Sequence, residues 1–116
     1  MSYTIDFNMP LECIDKDELL NRIKEKSDFV LVDTVGKYDG NRFRIKGAVT
    51  IPYPEVINRR NELKQYEEII IYCKHKDCKA SKKVAIGLKL LNVLNVKVYE
   101  GGIDEWLGNK LPVEEE

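Results

Sequence analysis

The chain has 116 residues, 43% of them apolar and 34% charged, with a formal net charge of -1. That length holds one domain with a single core, and the composition is globular, not disordered. Near-neutrality excludes a general pull toward nucleic acid or a membrane surface, no apolar run reaches the roughly 18 residues of a membrane span, and three cysteines do not make a disulfide scaffold.

Residues 1–10 are mixed in character and read as an edge segment or loose arm, with Pro10 limiting any strand. They lack the basic and apolar regions of a secretory signal, so a cytoplasmic location is expected. Leu11-Glu12-Cys13-Ile14 reads as a short strand. Asp15, with Glu18 three residues on, forms a capping box that opens a helix. Leu19, Leu20 and Ile23 are its apolar face, and Ser27-Asp28 ends it. Phe29-Val30-Leu31-Val32-Asp33 is an unbroken apolar run, as in a parallel strand covered on both faces. Residues 34–46 are polar, contain Gly36 and Gly40, and read as a long loop. Gly47-Ala48-Val49-Thr50-Ile51 is a short strand stopped by Pro52.

Residues 54–66 read as one helix. Pro54 suits its first turn, and Val56, Ile57, Arg60 and Leu63 follow at near-helical spacing. Ile69-Ile70-Ile71-Tyr72 is the central strand. Residues 80–91 carry the strongest helical pattern, with Ala80, Val84, Leu88 and Leu91 in one stripe and Ile86 and Leu90 widening it. Gly87 inside that helix costs about 1 kcal/mol relative to Ala and points to a close backbone contact. Val96-Lys97-Val98-Tyr99 is a further strand, and Gly101-Gly102 turns the chain. Ile103, Trp106 and Leu107 make one or two helical turns, with Trp106 plugging the core. Pro112 and Glu114-Glu115-Glu116 end the domain in solvent. Strands alternate with helices, so the class is α/β with a mostly parallel sheet.

The stretch with chemistry in it is Cys73-Lys74-His75-Lys76-Asp77-Cys78-Lys79. Cys73 ends an apolar strand, and the polar loop feeds a helix N-terminus. In open α/β sheets ligands bind beyond the carboxyl ends of strands. Free N–H groups and the helix dipole favour an anion there. Lys74, Lys76 and Lys79 add positive charge. Together these lead to the expectation of a lowered thiol pKa and a nucleophilic Cys73 in an anion-binding loop.

Several fragments stand in one order: Leu31-Val32-Asp33, then Arg44-Ile45-Lys46-Gly47-Ala48-Val49 and Ile51-Pro52, then Ile71-Tyr72-Cys73 with its loop, and finally Val98-Tyr99-Glu100-Gly101-Gly102-Ile103-Asp104-Glu105-Trp106. Over roughly residues 12–113 this resembles a single rhodanese domain. The resemblance implies one domain over 1–116, a three-layer fold and a five-stranded, mostly parallel sheet. It also implies a sulfurtransferase with Cys73 as catalytic cysteine. Such a cysteine takes sulfane sulfur from a small anionic donor such as thiosulfate, holds it as a persulfide and passes it to a thiol or protein acceptor. The substrate-binding loop would be Lys74, His75, Lys76, Asp77, Cys78 and Lys79, with no cofactor, metal, nucleic acid or membrane involved.

The sequence departs from the common pattern in places. The loop arginine is replaced by Lys79 in a seven-membered register or by Cys78 in a six-membered one, and lysine lacks the bidentate fork. The early Asp-x-Arg reads Asp33-Thr34-Val35, and a usual histidine is Arg44. Cys-x4-Cys-x-Ala-Ser resembles an extended-loop subgroup of the family.

Alternatives stay open at individual residues. Cys78 is a resolving thiol, a persulfide acceptor or inert. Cys73, His75 and Cys78 suggest metal ligands, but the spacing fits no standard zinc pattern and a fourth ligand is missing. Asp33 is a strand-end turn residue or an organiser of the neighbouring loop. Cys13 reads as structural. Arg59 and Arg60 form a solvated helix face or dock an acidic partner. At the level of function, the alternatives are a redox-sensing or binding module and a dual-specificity-type phosphatase, whose loop is a seven-membered Cys-x5-Arg.

Overall fold

The computed structural model describes residues 11–35 and 43–115. The expected arm over residues 1–10, Gly36, Gly40 and the terminal Glu116 lie outside them. Five parallel strands form the main sheet: β1 (Glu12–Ile14), β2 (Phe29–Asp33), β4 (Val49–Thr50), β5 (Glu68–Tyr72) and β6 (Val96–Tyr99), in spatial order β1-β6-β5-β2-β4. The central strand is β5, in register with Phe29 to Asp33 on one side and with Val96 to Tyr99 on the other.

β5 explains the layers. Its successive side chains point to opposite faces. Ile69 and Ile71 enter one core with Val84, Ala85 and Leu88. Ile70 and Tyr72 enter the other with Leu19, Ile103 and Trp106. The first core is covered by α2 (Tyr53–Val56), α3 (Arg60–Leu63) and α4 (Ala80–Leu90), and the second by α1 (Lys16–Glu25) and α5 (Gly102–Gly108). Trp106 is fully buried, and its indole N–H donates to the Pro112 carbonyl at 2.7 Å. Truncating such a side chain to alanine costs about 3–5 kcal/mol.

Local signals account for the ends of α1. Glu18 N–H donates to Asp15 Oδ1 at 2.8 Å, and Asp15 N–H donates back to Glu18 Oε1 at 3.3 Å, so the capping box closes. The helix ends at Lys26, which adopts a left-handed conformation, one residue before the expected breaker. At the amino end of the sheet, Glu68 is held by Arg22 (2.6 Å) and by Lys97, which keeps its carboxyl below the usual range and raises the Arg22 guanidinium.

Four expectations need correction. Residues 34–46 are not all loop: β3 (Phe43–Ile45) pairs antiparallel with β7 (Val113–Glu115) in a second, two-stranded sheet. Glu114 and Glu115 of the acidic tail therefore lie in a strand, where Glu114 is half-buried and Glu115 stays exposed. Arg44 lies opposite Glu114 at 3.4 Å, and Gly47 N–H donates to Glu114 Oε1 at 3.2 Å. The single helix over 54–66 is broken into α2 and α3. Arg59 leaves helical geometry, and the Arg60 guanidinium takes the Ile57 carbonyl at 2.8 Å, while Val56 and Leu63 stay buried on either side of the break. The close contact at Gly87 is real but is made by a side chain. A Cβ there would sit 2.9 Å from Ile57 Cδ1. Among the described residues no helix is long and apolar enough to cross a membrane.

Candidate functional site

β5 delivers Cys73 to the carboxyl end of the sheet, and the residue before it is tied on two sides. The Tyr72 carbonyl accepts from Thr34 N–H at 3.1 Å and from the Thr34 hydroxyl at 2.9 Å. The Tyr72 hydroxyl donates to Asp33 Oδ2 and accepts from Ile45 N–H, both at 3.0 Å. The other oxygen of Asp33 accepts from Val35 N–H at 2.8 Å. Asp33 is thus the strand-end turn residue expected, and it also anchors Tyr72 from a fully buried position. Buried polar groups joined this way hold one geometry.

The Cys73 residue is 3% exposed. Its Sγ lies 3.3 Å from Ser81 Oγ, 3.4 Å from the Cys78 carbonyl oxygen and 3.9 Å from that of His75. Ser81 is itself buried, in the first turn of α4. The expected lowering of the thiol pKa is not what this setting gives. Burial pushes the Cys73 thiol up, and the Cys78 thiol beside it adds to the rise. Hydrogen bonds from the Ser81 hydroxyl and amide pull the other way. Desolvation disfavours the charged form, and tertiary packing, not loop sequence, sets its size.

The Gly101-Gly102 turn has a second task beyond reversing the chain. Gly102 adopts a φ of +69°, and a Cβ there would lie 2.4 Å from the Cys73 carbonyl oxygen and 2.6 Å from that of Lys74. That close approach lets the first amides of α5 reach the backbone of the Cys73 loop. Ile103 N–H donates to the Cys73 carbonyl at 3.0 Å, and Asp104 N–H to the Lys74 carbonyl at 2.9 Å. In a trans peptide the N–H points opposite to the C=O. With these two carbonyls turned onto α5, the N–H groups of Lys74 and His75 point away from it.

Residues 73–79 form the loop, and Lys79 occupies the cap position of α4. Lys74, His75, Lys76, Asp77 and Lys79 are exposed, and Cys78 is half-buried. Cys78 N–H donates to the His75 carbonyl at 3.0 Å, and Asp77 N–H to His75 Nδ1 at 3.2 Å, so the loop is a tight turn. The lysines diverge. Lys76 lines a hollow of about 430 Å³ with Cys13, Glu18, Glu100 and Glu105. Lys79 lines another of about 350 Å³ with Leu11, Lys82, Lys83 and Ile86. No group of three or more His, Cys, Asp or Glu side chains among the described residues is placed to hold a metal ion.

Cys13 is exposed, and its Sγ donates to Glu100 Oε1 at 2.8 Å. Burial, then that carboxylate, push its thiol up to about 11. Arg59 pairs with Glu62 on the surface at 2.9 Å. Sequence reasoning missed Ser81 and Gly102. Ser81 is the last residue of the Cys-x4-Cys-x-Ala-Ser pattern, one residue inside the predicted helix. The second glycine of Gly101-Gly102 was the only signal for the close approach.

The model of the rhodanese-like domain matches residues 15–109. Over 106 residues the chain is 31% identical to the HTH-type transcriptional regulator Rv0324 of Mycobacterium tuberculosis. That alignment covers 91% of this chain and 46% of the relative, so the chain spans about half the length of that protein. The BH2092 protein of Bacillus halodurans superposes with a TM-score of 0.78 at 26% identity, over 89% of this chain and 76% of the other. A thiosulfate sulfurtransferase from Pseudomonas aeruginosa superposes with a TM-score of 0.70 over 90% of this chain and 20% of its own, a likeness of fold at 17% identity. The family match runs from the α1 cap through the Cys73 loop to the end of α5, and the chain belongs to the rhodanese-like domain family.

Proposed function

We propose that this chain is a sulfurtransferase that carries sulfane sulfur on Cys73. The observation that supports it most is the setting of that thiol. Cys73 directly follows the central strand, with its Sγ 3.3 Å from the Ser81 hydroxyl in the first turn of α4. With thiosulfate as donor, the Cys73 thiolate attacks the outer, sulfane sulfur. The bond to the sulfonate sulfur breaks, sulfite leaves with the electron pair, and a persulfide remains. The Ser81 hydroxyl donates to the thiolate as it forms, offsetting its burial. The amides of Lys74 and His75, the N-terminus of α4 and the Lys79 ammonium favour the donor anion. Lys76 and Asp77 complete the loop wall, and the Cys78 thiol takes no part in loading. A thiol, free or on a protein, then takes the outer sulfur.

Lysine at the last loop position keeps charge but lacks the fork that a phosphoryl transition state prefers. Sulfur transfer therefore ranks above phosphatase chemistry. The relative named as a transcriptional regulator supports a second reading, a sulfur- or redox-responsive module within a larger protein. Intact mass after brief treatment with thiosulfate, without reductant, separates the two. A gain of one sulfur (about 32 Da) in Cys78→Ser that is absent from Cys73→Ser/Cys78→Ser supports the carrier. No gain in any variant would leave the module.

A further inference from the structure

Cys78 has no role in loading sulfur, yet the loop brings it back onto the nucleophile. The turn closed by Cys78 N–H on the His75 carbonyl (3.0 Å) reverses the chain within the loop. It leaves the Cys78 carbonyl oxygen 3.4 Å from Cys73 Sγ. By covalent geometry the Cys78 Cα then lies no more than about 6 Å from that sulfur. The two thiols sense one another, since Cys78 contributes to the upward shift at Cys73. Cys73 is 3% exposed, whereas Cys78 is half-buried and opens toward solvent. An external acceptor approaching Cys73 meets the enclosing loop. Cys78 is already inside it.

We propose that Cys78 is the internal acceptor of the site: it discharges the Cys73 persulfide by forming a Cys73–Cys78 disulfide and releasing hydrosulfide. This rests on Cys73 being loaded with sulfane sulfur. The Cys78 thiolate attacks Cys73 Sγ, the Sγ–Sγ bond forms, and the bond from Cys73 Sγ to the outer sulfur breaks. The electron pair leaves on that sulfur as HS⁻. The sulfane sulfur is reduced to sulfide while the two cysteine thiols are oxidised to the disulfide, so the step needs no outside oxidant. A dithiol reductant must reopen the disulfide for a second turnover. The domain would then reduce sulfane sulfur in the presence of a dithiol, rather than only relay it.

The test uses the full chain carrying Cys13→Ser, so that only the two loop thiols remain, under anaerobic conditions with thiosulfate and no reductant. The parent is expected to release about one equivalent of sulfide and to lose about 2 Da, while Cys78→Ser and Cys78→Ala in that background gain about 32 Da and release none. A parent that keeps the added sulfur and releases no sulfide overturns this inference and leaves sulfur carriage standing. Sulfide release by the Cys78 variants overturns it in the same way. If neither Cys78 variant takes up sulfur, both readings fall together.

Discussion

Cys73 and Cys13 make a natural comparison. Both thiols stand toward the carboxyl end of parallel strands in one sheet, Cys13 on the edge strand β1 and Cys73 after the central strand β5. Burial pushes both upward, so burial alone does not mark the reactive one. The polar groups beside each thiol differ. Cys13 faces the Glu100 carboxylate, which opposes a second negative charge. At Cys73 the Cys78 thiol adds to the rise, but the Ser81 hydroxyl and amide at a helix start oppose it and favour the thiolate. In an α/β sheet the central carboxyl edge collects helix N-termini, whereas an edge strand meets whatever the adjoining loop carries.

The largest expected effect strikes the Cys73 side alone. Gly102→Ala adds a Cβ to a residue at φ +69° and drives it against the backbone carbonyls of Cys73 and Lys74. Backbone cannot swing aside as a side-chain tip can. We expect a stability loss of about 2–4 kcal/mol, read from chemical denaturation, together with slower sulfur loading on whatever remains folded. Cys13 alkylation in the native state should not change. Equal disturbance of both thiols would show that α5 holds the fold generally and does not position the loop in particular.

Ser81→Ala should act less strongly and through pH. A raised pKa means that the thiolate fraction grows as pH rises through and beyond the ordinary thiol range. Sulfur loading by the native protein is therefore expected to increase from neutral to alkaline pH, without a neutral plateau. Removing the Ser81 hydroxyl takes away a group that lowers the Cys73 pKa, so the whole profile moves to higher pH. At pH 7 the rate should fall several-fold and should approach the native rate at high pH. A uniform loss at every pH would instead make Ser81 a packing residue.

Much of this was legible in the chain because it is local. Phe29 to Asp33 and Ile69 to Tyr72 announce buried parallel strands, and Asp15 with Glu18 announces a helix start. The Cys73 loop was legible too, as a strand end running into a helix. What was hidden depends on distant partners. Residues 43–45 form a strand only because Val113 to Glu115 lie alongside, and neither segment has a strand pattern of its own. The break after Val56 was hidden because both halves keep their apolar spacing across it. The sign of the shift at Cys73 was misread for the same kind of reason. Loop lysines are visible in sequence, but the desolvation that leads the shift comes from packing around the strand end and α4.

Glu100→Gln gives the smallest effect and the sharpest control on the comparison. The carboxylate accepts from Cys13 Sγ at 2.8 Å and helps hold that thiol up at about 11. Its neutral isostere still accepts a hydrogen bond but no longer repels a thiolate. The Cys13 pKa should fall toward the ordinary value, and Lys82, freed from its 3.8 Å pairing with Glu100, should assist. Alkylation of Cys13 by iodoacetamide at pH 9, followed by peptide mass, should then rise several-fold, since the thiolate is the reacting form. Loading of Cys73 should not move, because Glu100 is not among the groups acting on it. If Cys73 loading responds as well, the two thiols share one electrostatic environment across β6, and the contrast between them lies in access and not in charge.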